Sequence, residues 1–216
     1  MEFIALAGLG GIGFVLVGIV VNVLYLRSGL PLPTSGKGLD AATDSFDGIA
    51  DALKKPSVLV PVTWLCLTLF AAGLLSVLWR GNADQTAWAL VGFAGVLLQN
   101  ATFACVEALR FGMATAARHG RGSMAGLWGM SNVLFGLNQT FLAMALLGFT
   151  VAGVSGGLVP LWQAYLGYIS AALLVVSSLA APYNVEGGNR LGLAGLIGWL
   201  GWISWIVAYS VTLLLR

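Results

Sequence analysis

Six long apolar stretches, almost free of charge, constrain most strongly what this chain can fold into. They cover residues 3–26, 58–79, 87–109, 125–150, 161–181 and 191–215. Each reaches the roughly 20 residues that a helix needs to cross about 30 Å of hydrocarbon. Because lipid offers backbone groups no hydrogen-bonding partner, each stretch is predicted to be helical. We therefore expect an all-α integral membrane protein, a six-transmembrane-helix bundle forming one domain over residues 1–216.

The composition excludes the other broad classes of protein. Charged residues make up 8% of the 216 residues, against about 25% in a soluble domain. So few charges cannot cover a water-exposed surface, and a hydrophobic content of 59% is far too high for a disordered chain. Two cysteines are too few for a disulfide framework.

The positions of Lys and Arg predict the orientation, since cytoplasmic connections are enriched in both. The connections after spans 1, 3 and 5 carry Arg27, Lys37, Lys54, Lys55, Arg110, Arg118, Arg121 and Arg190. The opposite side has Arg80 and Arg216. Both termini are therefore predicted on the non-cytoplasmic side of a membrane, which we take to be a prokaryotic inner membrane. In the connection 110–124, Arg118, His119 and Arg121 are expected to contact anionic lipid headgroups.

The first connection contains an acidic helical pattern. Asp40, Asp44, Asp47 and Asp51 follow one another at spacings of four, three and four residues, which places all four on one helical face. We predict an amphipathic cytoplasmic helix at the membrane surface, over about 40–55, that ends before Pro56. The acidic face is interpreted as solvated or as a docking surface for a basic partner. A cation site is disfavoured because a regular helix spreads the carboxylates too widely.

Within this segment, Asp44-Ser-Phe-Asp47-Gly48 resembles the start of the signature of the CDP-alcohol phosphatidyltransferases, D-x-x-D-G-x-x-A-R. In those six-span membrane enzymes the aspartates hold a divalent metal and activate an alcohol. The resemblance would imply a lipid-modifying enzyme that uses Asp44 and Asp47. However, Asp51 and Ala52 stand where Ala and Arg are expected, and residues 55–64 lack the second half of the signature. No metal site is therefore predicted.

Polar side chains inside the spans form the second group of candidates, because burying them in lipid is costly. The set is Asn22, Gln99, Asn100, Glu107, Asn132, Asn138 and Gln139. Asn100 and Glu107 are seven residues apart, as are Asn132 and Gln139, so spans 3 and 4 are expected to present facing polar stripes that hydrogen-bond across a close contact. The alternative is a polar path to the cytoplasm, with Glu107 as its ionisable member. Arg110, three residues further on, is placed to pair with Glu107.

The sixth span separates its residues by size. One face is aliphatic and predicted to face lipid. The other combines small residues with aromatic rings: Gly195, Gly198, Gly201, Trp202, Trp205 and Tyr209. We interpret this face as a tight contact within the bundle or with another subunit. The rival interpretation is an aromatic pocket for an apolar ligand such as a quinone, a pigment or a lipid.

No strong catalytic, nucleotide, metal or haem motif occurs in the sequence. We therefore predict no cofactor and favour a non-catalytic accessory, assembly or regulatory subunit. Its expected partners are membrane lipids and a membrane protein or a second copy of the chain, and not nucleic acid. The first alternative is a small transporter or channel between helices 3 and 4. The second is the lipid-modifying membrane enzyme.

Overall fold

A computed structural model describes residues 2–31, 38–120, 123–184 and 191–216. In these ranges the chain forms seven α-helices and a short 3-10 helix, and no strand. The helices are α1 (Phe3–Arg27), α2 (Leu39–Ile49), α3 (Lys54–Leu78), α4 (Ala83–His119), α5 (Met124–Ser155), α6 (Leu161–Leu179) and α7 (Gly192–Leu214), with the 3-10 helix at Ala181–Asn184. All except α2 are long and apolar enough to cross a membrane. The all-helical, six-span architecture thus agrees with the prediction.

The six long helices form a closed ring in chain order. Each contacts the next along the chain, and α7 returns to α1. Glycines allow the closest approaches: an added Cβ at Gly148 of α5 would collide with the backbone of Gly92 on α4, and one at Gly8 of α1 would lie 2.8 Å from Leu214 Cγ on α7. The same ring leaves space at its centre, where the candidate site lies.

The α4 helix differs most from its prediction. We expected span 3 to end at residue 109 and a connection to follow, but α4 has 37 residues and continues to His119. Arg110 and Arg118 therefore lie on the helix. At 1.5 Å per residue α4 is about 55 Å long, well beyond a hydrocarbon core of about 30 Å. Its polar last turns remain helical because they pack against α2 and α5.

The segment between α1 and α3 also differs from the prediction. The helix expected over 40–55 ends at Ile49, and Lys54 begins α3. Pro56 therefore lies in the first turn of α3, where its missing N–H has no intrahelical acceptor to lose. A second proline, Pro61, lies inside α3. It cannot donate a hydrogen bond to the carbonyl of Ser57, four residues earlier.

Two apolar clusters fill the bundle. The larger surrounds Trp202, Trp205 and Tyr209 of α7, with Phe70 and Phe149 against them. The smaller joins α2 to the ends of α1, α4 and α5, and its centre is the edge-to-face pair of Phe46 and Trp128, with ring centroids 6.3 Å apart. The candidate site lies between these clusters.

Candidate functional site

A cavity of about 240 Å³ lies at the centre of the ring, and all six long helices contribute to its wall. Most of the wall is apolar, and seven aromatic side chains line it: Phe14, Tyr25, Trp64, Phe103, Phe135, Trp199 and Trp202. The polar part of the wall includes Asn22, Tyr25, Gln99, Glu107, Arg110 and Gln139. The site is thus an aromatic chamber with a small set of polar groups, the usual make-up of a small-molecule site.

One carboxylate joins three helices at one end of this chamber. Glu107 of α4 accepts hydrogen bonds at Oε1 from the hydroxyl of Tyr25 on α1 and from Ser57 Oγ on α3, the latter at 2.5 Å. Arg110 Nη1 donates to Glu107 Oε2 at 2.6 Å, the pairing expected from the three-residue spacing. The Arg110 guanidinium lies over the Tyr25 ring, 4.5 Å from its centroid. We call these four residues the Glu107 cluster, and their end of the bundle the Glu107 end.

The Glu107 cluster is internally neutral and largely withdrawn from solvent. The side chains of Glu107 and Arg110 are only 12% and 14% exposed. A buried carboxylate is costly unless it is paired and hydrogen-bonded, and here three donors occupy its two oxygens. The carboxylate therefore acts as a tie between α1, α3 and α4.

The opposite end of the chamber is closed by aromatic side chains. Trp202, Trp205 and Tyr209 are fully buried. The two indole rings stack with centroids 5.9 Å apart, and Tyr209 lies against Trp205 at 4.9 Å. Trp202 lines the chamber at this end, whereas Trp205 and Tyr209 are not among its described lining residues, so within the described part of the chain the chamber ends at these rings.

In the part of the chain that the structure describes, the chamber reaches the surface between α1 and α7. Asn22 and Leu196 both line it and both are exposed. An added Cβ at Gly18 would meet no atom of the described residues within 4 Å. Asn22 lies about 7 Å before the end of α1, and Leu196 about 6 Å after the start of α7. The opening therefore lies on the side of the bundle, inside the apolar length of both helices.

The structure divides the predicted polar residues into two groups. Asn22, Gln99, Glu107 and Gln139 line the chamber. Asn100, Asn132 and Asn138 are not among its described lining residues: Asn100 Nδ2 donates to Trp64 O and Thr68 Oγ1 on α3, at 3.3 and 3.0 Å, and Asn132 and Asn138 are buried.

The expected pairing of facing stripes across α4 and α5 is not what Asn100 and Glu107 do. They hydrogen-bond with groups on α1, α3 and α4 itself. The reason is geometric, since the closest approach of α4 to α5 is made by a different face, at Gly92, Gly95 and Gly148.

The Gly and Trp face of α7 packs within this chain. Added Cβ atoms at Gly195, Gly198 and Gly201 would collide with Ser177, Leu174 and Ser170 of α6. Trp202 both packs in the core and lines the chamber. The aliphatic face is exposed, with Leu193 and Leu200 at 62% and 52%.

The acidic residues of α2 lie away from the chamber. Asp40, Asp44 and Asp47 are exposed, whereas Phe46 and Ile49 on the other side are buried. These carboxylates thus form an outward-facing row on the bundle's Glu107 end.

Asp51 lies beyond the end of α2 and joins two elements. It accepts from Lys54 Nζ at 2.7 Å and from Arg118 Nη2 at 3.3 Å. The Lys54 ammonium and then the Arg118 guanidinium lower the pKa of the Asp51 carboxyl.

The expected headgroup trio is only partly within the described residues. Arg118 is bonded to Asp51, and His119 Nδ1 lies 3.1 Å from the carbonyl of Thr115. Arg121 lies outside the described residues. No group of three or more His, Cys, Asp or Glu able to hold a metal ion occurs in the ranges that the structure describes.

Tyr25 and Ser57 are the site residues that sequence reasoning missed. They lie 82 and 50 residues from Glu107 along the chain, so spacing carries no signal of their contact. A single Tyr near the end of an apolar span is also typical of the membrane interface, so its residue type gives no signal either.

Comparison with known proteins adds no assignment. No family model, no curated protein and no solved structure matches this chain. The function must therefore be argued from the chamber and its chemistry.

Proposed function

We propose that this chain is a membrane protein that binds a small lipid-soluble molecule in its central chamber, and that the molecule enters from the bilayer between α1 and α7. One observation carries the proposal: the chamber of about 240 Å³ is bounded by all six long helices and opens sideways beside Asn22 and Leu196. A sideways opening within the apolar length of two helices is accessible to molecules dissolved in lipid.

The arrangement favours binding over free passage. A channel needs a continuous path, but the stacked Trp202 and Trp205 and the buried Tyr209 close one end. The Glu107 cluster joins α1, α3 and α4 at the other. Transport through the chamber, the alternative suggested by the polar residues of α4 and α5, would require both ends to rearrange.

For orientation, we propose that the Glu107 end faces the cytoplasm of a prokaryotic cell and that both termini face away from it. Among the described residues, Arg27, Lys54, Lys55, Arg110 and Arg118 lie at this end, against Arg80 and Arg216 at the other. Lys37, Arg121 and Arg190 lie outside the described residues. On this orientation α2 covers the cytoplasmic surface of the bundle.

Filling the chamber tests the proposal. Gly18→Leu places a side chain in the chamber where an added Cβ meets no neighbour, so the variant is expected to fold. Gly126→Leu is the matched control, since Gly126 also lies in a helix with open space around it but does not line the chamber.

Each protein is purified from its native membrane in mild detergent and extracted with organic solvent for mass spectrometry. We expect one lipid-soluble compound in near-equal molar amount with the parent protein and with Gly126→Leu, and its loss from Gly18→Leu. Equal recovery from Gly18→Leu, or no enrichment over the lipids of a control membrane protein, would contradict the proposal.

The outward row of Asp40, Asp44 and Asp47 on α2 favours a second candidate, an accessory subunit that docks a basic partner segment. The Gly and Trp face of α7, which also suggested a partner, is already packed against α6. Isolation of the native complex tests this candidate. Co-purification of one membrane protein, lost in the triple Asp→Asn variant, is the expected result. A monomer without a partner would count against it.

A further inference from the structure

We infer that the molecule held in the chamber is an uncharged, single-ring compound carrying carbonyl oxygens, the chemistry of a lipid-soluble quinone headgroup. The inference rests on the proposed function and names the class of its ligand. It follows from four properties of the chamber: its size, its aromatic wall, its charge balance and its hydrogen-bonding groups.

The volume limits the ligand to about one substituted ring. A cavity of about 150 Å³ in a protein core accommodates benzene, and this chamber has about 240 Å³. The difference leaves room for ring substituents but not for a sterol or a large pigment. A longer aliphatic tail has an exit beside Gly18, where the wall is open.

The aromatic wall favours a planar guest. Trp64, Phe103, Phe135 and Trp199 line the chamber, and aromatic rings pack against a flat ring in offset or edge-to-face contacts. The same rings would also attract an organic cation, so the aromatic wall alone does not choose between a neutral and a cationic guest.

The charges of the described lining residues favour a neutral guest. Among the described lining residues the charges are one carboxylate, Glu107, and one guanidinium, Arg110, and they neutralise each other. Three donors already occupy the two oxygens of Glu107, and Arg110 balances its charge, so an ammonium group would meet no unbalanced negative charge among the described lining residues. A charged guest of either sign would be buried without a counter-ion, which is strongly unfavourable.

The lining groups that can only donate hydrogen bonds favour acceptors on the guest. Trp202 lines the chamber, and its indole Nε1 has no acceptor among the described residues. Indole and guanidinium groups only donate, and Arg110 has five N–H groups, of which the ion pair engages one nitrogen. The amides of Gln99 and Gln139 also line the wall, and each has a buried carbonyl oxygen without a partner among the described residues. Because an amide carries an acceptor and a donor on the same carbon, each can also present its NH2 group to the guest. Carbonyl oxygens on a ring would satisfy these N–H groups.

The test uses four probes with the same ten-carbon chain: a decyl benzoquinone, decylbenzene, decyltrimethylammonium and decyl sulfate. Binding to the full-length protein in detergent is measured by titration calorimetry, with the heat of partition into protein-free micelles subtracted. We expect saturable binding of the decyl benzoquinone and at least tenfold weaker binding of the other three.

Variants connect the binding to the chamber. Gly18→Leu should abolish quinone binding, and Gly126→Leu should leave it unchanged. Trp202→Phe keeps a ring but removes the N–H, and Gln99→Leu removes an amide. Each should weaken quinone binding about five- to tenfold, the effect of one hydrogen bond. If Trp202→Phe fails to fold, Gln99→Leu still decides.

The outcomes separate the two proposals. If decylbenzene or a charged probe binds as tightly as the quinone and Gly18→Leu abolishes that binding, the ligand class is wrong and the binding chamber stands. If no probe binds the parent protein, the ligand class is also wrong. If binding is unaffected by Gly18→Leu, the chamber is not the site and the proposed function fails as well.

Discussion

Two asparagines in adjacent spans differ in what their amides contact. The same substitution is therefore expected to change the free energy of unfolding in opposite directions at the two positions. Asn100 donates to Trp64 O and Thr68 Oγ1 on α3. Asn138 is fully buried on α5, and neither of its amide atoms has a partner among the described residues. An unpaired buried amide costs about 1–3 kcal/mol, whereas an interhelical hydrogen bond in a membrane contributes about 0.6 and at most roughly 1.7.

We therefore expect Asn138→Leu to stabilise the protein by about 1–2 kcal/mol and Asn100→Leu to destabilise it by about 1 kcal/mol. The measurement is the free energy of unfolding in detergent, from titration with sodium dodecyl sulfate. The same substitution at two sites makes each variant the control for the other. A loss of stability in Asn138→Leu would mean that its amide has a role not accounted for by its surroundings.

In the Glu107 cluster, one contact can be predicted from the sequence and the others cannot. The pairing of Glu107 with Arg110 follows from a three-residue spacing on one helix, because such neighbours share a face. The contacts with Tyr25 and Ser57 join three helices, and they depend on how α1 and α3 lie against α4. That arrangement is set by packing and not by local spacing.

Among the elements, α2 packs on the bundle through several buried residues, of which Phe46 is the largest. Phe46 is 1% exposed and contacts Trp128 of α5 edge to face. An isolated helix of 11 residues is marginal in water, so α2 needs this packing to stay folded.

We expect Phe46→Ala to release α2 from the bundle, because truncating a buried Phe costs about 3–5 kcal/mol. Hydrogen–deuterium exchange should then rise at the amides of 39–49 and stay low in the six long helices. Asp47→Ala, on the exposed side of the same helix, is the control and should leave the exchange pattern unchanged. Unaltered protection of α2 in Phe46→Ala would show that other contacts hold it.

Helix boundaries can be predicted from the sequence where a helix ends together with its apolar run. They are predicted wrongly where the helix continues into a polar segment. The prediction stopped span 3 at residue 109 because Arg110 and later polar residues interrupt the apolar run. Residues 111–119 stay helical because Ala and Met favour helix and because Met113 and Ala114 are buried in the cluster around Phe46. The sequence also predicts a helix that ends before Pro56. Proline follows helix ends but is equally tolerated in the first turn of a helix, and the sequence alone does not separate these two positions.

At the scale of the whole molecule, the closed ring depends on backbone contact between α4 and α5. A Cβ at Gly148 would meet the backbone of Gly92, with Trp88 O at 2.6 Å. Backbone atoms cannot rotate away as a side chain can. The ring therefore has little tolerance for any side chain at this position.

We expect Gly148→Ala to lower the free energy of unfolding by at least about 1–3 kcal/mol, the usual cost of overpacking. Gly126→Ala should be neutral or stabilising by up to about 1 kcal/mol, because its Cβ enters open space and Ala favours helix. Thermal unfolding in detergent, followed by tryptophan fluorescence, measures both. An unfolding temperature for Gly148→Ala equal to that of the parent protein would mean that α4 and α5 can move apart without loss.

Because α4 is long, a small tilt of this helix displaces its C-terminal turns by several ångströms. It is one uninterrupted helix from Ala83 to His119. Its backbone contact with α5 at Gly92 is the point about which we consider a tilt. From Gly92, Glu107 is about 22 Å and His119 about 40 Å along the axis, so a tilt of about 5° displaces the two by about 2 Å and about 3.5 Å. Since the α4 turns that pack against α2 and the chamber-lining Glu107 lie on the same side of Gly92, a tilt of α4 that displaces α2 also displaces the carboxylate that ties α1, α3 and α4 together.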